Sequence, residues 1–441
     1  MAKTIIIFVS IIVILFIVIE VGLPIYVESP LKSSDFYSSL PKDLIQQRQA
    51  EIGLQIASGT GWAHLAWIAD PDQETYIIEQ QKDGQWVQVT SVIYGSYLVS
   101  EVGEHHLRVS AQKTDGSRSV LGEATLVVEP NANQVYIPSI EGQWQPLFIP
   151  DTYANDHTVF FNDVLNKWQV ISITSENQQG DYNLEKHFAV GYSDGPDFPP
   201  ATPIRESEQI VDTGQLAWAP HAIKANDKFY LFWSPHTFYQ MESSDGKTWD
   251  PAYVSMQVPF HKFFRDPMVM KVADNQWILY TTAKGETGKS RVDLYQSFNL
   301  KEWQYIGTAL DSGSGSERNS PFASTESPFV FQYEGRYYLS VTYNNETLAL
   351  YGLLLPLRIW PNPASYNETL VFTSPNPYDF GVYYGRNSKS QTYLTQLETH
   401  APEYIQTPQG NWFITTAGWP WIASLTKGEI AVAELRFTPK P

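Results

Sequence analysis

Three carboxylates, Asp156, Asp266 and Glu326, stand at matching places in a repeated sequence pattern. Each lies one or two residues before a proline or the residue that replaces it. Two carboxyl groups flanking a bond are what cleavage of a glycosidic bond needs. One gives a proton to the leaving oxygen, while the other attacks the anomeric carbon or activates a water. A third carboxylate nearby would keep the acid protonated near neutrality by like-charge repulsion. Taken singly, each residue has a simpler reading: an Asp before Pro caps a turn or strand, and a Glu in a loop is solvated. Their equivalence argues against that, because a structural cap should recur in every copy. Instead the place before the proline position holds Asp156, Ala219, Asp266, Ser327 and Ala401.

The pattern that must position them occurs five times. It reads "NDHTVFFNDVLNKWQVISIT" from Asn155, "WAPHAIKANDKFYLFWS" from Trp218 and "RDPMVMKVADNQWILYTT" from Arg265. "ESPFVFQYEGRYYLSVT" from Glu326 and "HAPEYIQTPQGNWFITTA" from His400 complete the set. Each is an apolar strand, a short polar turn and an aromatic-rich strand. Proline, which suits the first residue of a strand, holds the third place in four copies, and His157 holds it in the first. Most copies lead into a further strand pair with a turn such as "SSDGKTWD" or "QSFNLKEW". Five units of about four strands predict an all-β, five-bladed β-propeller over residues 131–441. First strands line the axis of such a fold. The residues before the prolines therefore gather at one mouth: Asn155-Asp156, Trp218-Ala219, Arg265-Asp266, Glu326-Ser327 and His400-Ala401. Asp156, Asp266 and Glu326 are the expected catalytic groups, with Asn155, Trp218, Arg265 and His400 beside them as substrate contacts.

Composition narrows the partners. The 441 residues are 43% hydrophobic and 17% charged, a packed globular protein with room for two or three domains. Lys+Arg number 29 against Asp+Glu 47, a net charge of -18, which argues against nucleic acid as partner. Cysteine is absent, so disulfides, thiolate metal sites and a cysteine nucleophile are excluded. Aromatics reach 14%, which fits both a β-rich core and rings stacked on sugar faces.

Ahead of the repeats lie three shorter regions. Ile5 to Ile19 is almost wholly apolar, broken only by Ser10, with Lys3 before it and no small-x-small cleavage site after it. Residues 1–27 are expected to be a membrane anchor or signal segment, an uncleaved transmembrane helix being favoured, with the bulk of the chain extracytoplasmic. Cleavage of that segment would make the protein secreted. Residues 28–53, rich in Ser, Pro and polar residues, read as a linker with a short helix near Leu44. Short alternating strands over residues 54–130 predict a small β-sandwich. It resembles a fibronectin type III module, with Trp67 early, a strand led by Tyr76 and a late "LRVSAQKTDG". Its expected role is that of a spacer or docking module.

The repeat motifs resemble those of the five-bladed propeller glycoside hydrolases of families 32, 68 and 43, which include invertases, levansucrases, arabinanases and xylosidases. Arg265-Asp266-Pro267 looks like the "RDP" of the fructan enzymes. Glu326-Ser327-Pro328 looks like their "ECP" and the "E-small-P" of family 43, whose Glu is the general acid. Asn155-Asp156 falls where family 32 carries "NDP" with its nucleophile and family 43 its general base. Trp218 opens a "WAPH" similar to the "WAPD" of family 43, so that His221 stands where an Asp is common and joins the expected substrate contacts. His400 resembles a fifth-blade histidine that in some family 43 members lies by a channel calcium or water; no metal and no cofactor is assigned. The departures are His157 for the proline of "NDP" and His221 for Asp. The resemblance implies hydrolysis of O-glycosidic bonds in fructan-, arabinan- or xylan-type substrates, with a retaining mechanism in one family and an inverting one in the other. The alternative is a surface protein that binds glycan without cleaving it.

Overall fold

The computed structural model describes residues 38–73, 75–131, 134–175, 184–210, 215–256, 264–284, 290–311, 324–344, 368–383, 392–417 and 428–441. The apolar run from Ile5 to Ile19, and with it the expected transmembrane helix, lies outside them. Among the described residues no helix is long and apolar enough to cross a membrane.

The described residues are mostly strands, with one short α-helix. Residues 54–130 form two facing sheets. Gln55–Gly59, Trp62–Ala66 and Ser96–Val99 make one of three strands, while Gln85–Val92, Thr75–Lys82, Gly103–Gln112 and Arg118–Val128 make one of four. The period-two pattern decides the faces: Leu107, Val109 and Ala111 point inward onto Leu65, Trp67, Tyr76 and Ile78. His106 and Arg108 point out, where Arg108 lies over the Trp86 ring and pairs with Glu123.

Beyond residue 131 come five antiparallel four-stranded units, numbered I to V here. Sheet I is His157–Asn162, Lys167–Thr174, His187–Tyr192 and Ile204–Ile210; sheet II is His221–Ala225, Lys228–Trp233, Phe238–Ser243 and Tyr253–Met256. Sheet III is Phe264–Ala273, Gln276–Lys284, Ser290–Ser297 and Gln304–Asp311; sheet IV is Ser324–Tyr333, Arg336–Asn344, Glu368–Ser374 and Tyr393–Leu397. Sheet V takes Tyr404–Gln406, Trp412–Ala417 and Ile430–Pro439 from the end of the chain and a fourth strand, Tyr136–Ile149, from the start of the region. That strand runs antiparallel to Ile430–Pro439, from Tyr136 opposite Pro439 to Phe148 opposite Ile430, with two shifts of register along the way. A short parallel pairing of Phe148–Ile149 with Ile204–Arg205 joins sheets V and I. The two ends of the region are thus hydrogen-bonded together, so each protects what would otherwise be an open sheet edge.

The recurring turns have a shared cause. Asp245, Asn299 and Asn376 each accept, on a side-chain oxygen, two backbone N–H groups two and three residues ahead. This mimics a backbone turn and closes the third strand onto the fourth. In "SSDGKTWD", Gly246 sits at φ 71° against Asn162, a position with no room for a side chain.

The sandwich is locked to sheets III and IV. Trp62 packs edge-on against Tyr337 and Tyr378, at ring distances of 6.0 and 5.5 Å, and His64 stacks on Tyr378 at 3.9 Å. Gln296 donates to the carbonyls of Trp67 and Gly95, and Gln304 both donates to and accepts from the backbone of Ala69. The segment expected to be a linker is, in its described part, a strap. Ser39 bonds the backbone of Trp303, the helix Ile45–Ile52 buries Ile45 with Leu40 and Ile68, and Arg48 reaches Glu302. Its polar composition hid two buried apolar anchors, Leu40 and Ile45, too few to show a helical stripe. Because Trp62 shares a core with Tyr280, Leu339 and Phe372, Trp62→Ala is expected to cost about 3–5 kcal/mol. A lowered denaturant midpoint at unchanged m-value would register it; a midpoint equal to the parent's would show that the seam contributes nothing.

Candidate active site

Four of the five first strands enter through the same local conformation. Ala219, Asp266, Ser327 and Ala401, each directly before a proline, have φ of 48°, 57°, 49° and 44°. A left-handed residue costs about 1–2 kcal/mol without glycine, and the proline that follows disfavours the right-handed helical alternative. In sheets III and IV the pairing register jumps from Arg265 to Met268 and from Glu326 to Phe329. The two skipped residues bulge out of each ladder, which turns Asp266 and Ser327 off the sheet face. Asp156, followed by His157, does not share this conformation. Hydroxyls on the second strands fix the residue one step earlier. Ser172 brackets the backbone of Asn155, Thr281 donates to the Arg265 carbonyl, and Thr416 accepts from His400 N–H.

Asp156 and Asp266 line one cavity with Ser327, Ala219 and His221, and Arg265 links Glu326 to Asp266 beside it. Ser327 ties two of them: its backbone N–H donates to Asp266 Oδ2 at 3.0 Å, and its hydroxyl to Asp156 Oδ2 at 3.3 Å. His400 Nε2 lies 3.4 Å from the other oxygen of Asp156. Arg265 pairs with Glu326 through its terminal nitrogen and lies 3.5 Å from Asp266 through Nε.

These surroundings push the groups apart. Burial alone would raise Asp156, but the hydrogen bond and charge of His400, with the charges of Arg265 and His157, outweigh it and hold Asp156 below the usual carboxylate range. Glu326 goes the other way. Burial lifts it to about 7, aided by the negative charges of Asp266 and Asp156 and opposed by Arg265. Asp266 is also raised, chiefly by burial. At neutral pH the site therefore holds an ionised Asp156 and a Glu326 that titrates close to neutrality.

The other expected contacts divide. Arg265 and His400 stand among the carboxylates. Trp218 is half-buried at the rim, packed on the interior of sheets I and II. Asn155 contributes mainly backbone, through Ser172 and Ile173. His221 lines the same cavity through the layer of residues that follows the prolines, where it donates to the Val269 carbonyl at 3.1 Å and approaches Glu403 at 3.7 Å. That layer is a ring of stitches between neighbouring sheets. Glu403 accepts the Val159 N–H, Thr158 accepts the Ala222 N–H, and Phe329 meets Tyr404 with ring centroids 5.6 Å apart. His157, in place of proline, joins this layer by bonding Thr415. Ser327 and Glu403 were legible only as positions relative to a proline; neither residue type announced its role. Among the described residues, no group of three or more His, Asp or Glu is arranged to hold a metal ion.

Residues 202–353, which carry Arg265, Asp266 and Glu326, match the family described as Glycosyl hydrolases family 32 N-terminal domain. No curated protein matches the chain at a significant level. Among solved structures, it is similar to a sucrose-6-phosphate hydrolase from Lactobacillus gasseri, at 14% identity over 66% of this chain and 63% of that one, with a TM-score of 0.45. An endo-arabinase from Bacteroides thetaiotaomicron is 13% identical over 67% of this chain and 98% of its own, with a TM-score of 0.44. An endo-1,4-beta-xylanase from the same organism is 16% identical over 69% and 97%, with a TM-score of 0.43. This chain spans less than two thirds of the Lactobacillus structure's length.

Proposed function

We propose that this chain is a hydrolase of O-glycosidic bonds, with sheets I to V as the five blades of a propeller and the three carboxylates at one mouth of its axis. The observation that carries the reading is the opposed ionisation of two carboxyl groups joined through one small network: Asp156 held low, Glu326 lifted to about 7. A pair of groups so separated is what acid–base assignment requires. Glu326 gives its proton to the glycosidic oxygen as the C–O bond breaks. Asp156 either attacks the anomeric carbon or takes a proton from the water that does. Asp266 stays near the ring as positive charge develops on it, and its own charge helps keep the proton on Glu326. The substrate class is a fructan-, arabinan- or xylan-type glycoside. The apolar run near Lys3 supports an extracytoplasmic protein held at a membrane, released if that run is cleaved.

Full-length protein in mild detergent, assayed on sucrose, levan, arabinan, xylan and aryl glycosides, should release reducing sugar from at least one. NMR of the first-formed anomer then assigns Asp156 as nucleophile if configuration is retained, or as base if it is inverted. Saturable binding of a glycan with no product would instead support a non-catalytic glycan-binding protein.

Asp266→Asn has a defined sign. Asp266 raises Glu326, so its loss lets Glu326 deprotonate earlier. Turnover should fall, and the alkaline limb of the pH–rate profile should move to lower pH. A limb that stays in place would remove Asp266 from that electrostatic role.

A further inference from the structure

His236 belongs to no motif discussed above, yet the strand register brings it to the mouth that holds the carboxylates. In sheet II, His221 pairs with Phe232, and Trp233 pairs with Tyr239. The turn between the second and third strands, residues 234–237, therefore lies at the end where the first strand enters behind Ala219 and Pro220. Within that turn His236 is exposed, and its ring meets Trp218 edge-to-face at 6.0 Å. The turn is anchored from below, since Ser234 donates its N–H to the Trp218 carbonyl and its hydroxyl to the Phe264 carbonyl. Phe264 directly precedes Arg265, so the turn, Trp218 and the Arg265-Asp266 bulge form one connected wall.

The charge state fits recognition of a neutral hydroxyl. Partial burial of the ring, with the Arg265 charge as the smaller cause, lowers the His236 pKa. The imidazole is therefore neutral at neutral pH, with one nitrogen to donate and one to accept. A sugar hydroxyl offers both complements, and the neighbouring indole gives a ring the apolar surface it needs. Its exposed place beside Trp218 fits a residue that selects substrate and leaves the chemistry to others.

We propose that His236 is a specificity-determining residue of this site, hydrogen-bonding a hydroxyl of the bound glycoside while Trp218 braces its ring. This rests on the hydrolase reading, and two measurements separate the fates of the two ideas. The first is steady-state kinetics of His236→Ala on the best substrate from the panel. KM should rise at least about tenfold with kcat within about threefold, the pattern for loss of binding common to ground and transition states. His236→Asn, which keeps a donor and an acceptor, should recover part of the loss. The second is calorimetric binding of levanbiose, arabinobiose and xylobiose to Glu326→Gln protein, with and without His236→Ala. The bound disaccharide should be held about tenfold more weakly by the double variant. Weakened binding in a protein that turns nothing over would overturn the hydrolase reading and support the role of His236. Unchanged KM and unchanged binding would overturn the role of His236 and leave the hydrolase reading standing. A fall in kcat alone would also overturn it, because it would place His236 in the chemistry. If no glycoside is either cleaved or bound by the parent, both ideas fail.

Discussion

Asp156→Asn is expected to abolish turnover on every glycoside, whatever its leaving group. The amide keeps the shape of the carboxylate and its contacts to His400 and Ser327, but it can neither attack carbon nor accept a proton. A positioned base contributes about 10²–10⁴-fold. The loss should reach the upper end of that range, because neither other carboxyl group is placed to take over: Glu326 is lifted to about 7 and paired with Arg265, and Asp266 is held by the Ser327 N–H. Substrate binding should survive, so an inactive variant with a parental dissociation constant is the expected pair of readings. Equal turnover by parent and variant would place the site elsewhere.

Glu326→Gln should separate substrates by their leaving groups. With an alkoxide leaving group, the proton from Glu326 is needed at the transition state, and its loss should cost about 10²–10⁴-fold. An activated aryl leaving group departs without it, and the loss should be small. The variant also removes the partner of Arg265, whose guanidinium then has only Asp266 from the carboxylate set close by. A modest change in KM is therefore expected on both substrate types. Comparable losses on both would take Glu326 out of the acid role.

The site was legible in the sequence to the extent that proline marked it. "RDP" and "ESP" fixed Asp266 and Glu326 to strand entrances, and the strand pattern supplied the repeat that set Asp156 beside them. The physical device at those entrances was not legible. Nothing in an Ala-Pro or Ser-Pro pair states that the first residue will be left-handed, since that conformation is imposed by packing around the entrance. Ser327 shows the consequence: its backbone turn, more than its residue type, aims its N–H at Asp266. His221 lines the same cavity from one residue further along the chain. It follows the proline, and residues there point down into the stitches between sheets, as Glu403 and Thr158 also do. Sheet V exposed a different limit. Its fourth strand, Tyr136–Ile149, comes from the far end of the region, and no local pattern says which strand a lone segment will join. The strap before the sandwich was missed because Leu40, Ile45 and Ile68 are brought together by tertiary contacts alone.

The central claim is that Glu326 is the acid and Asp156 its ionised partner, and the pH dependence of kcat/KM tests it most directly. Glu326 works protonated, so the rate on a substrate with a poor leaving group should fall as pH rises through about 7. Asp156 works ionised and is held below the ordinary carboxylate range, so the rate should fall on the acid side only at low pH. The account predicts a broad bell for that substrate, and for an activated aryl glycoside the loss of its alkaline limb. A rate that passes unchanged through pH 7 on the poor leaving group, or an alkaline limb identical on both substrates, would contradict it.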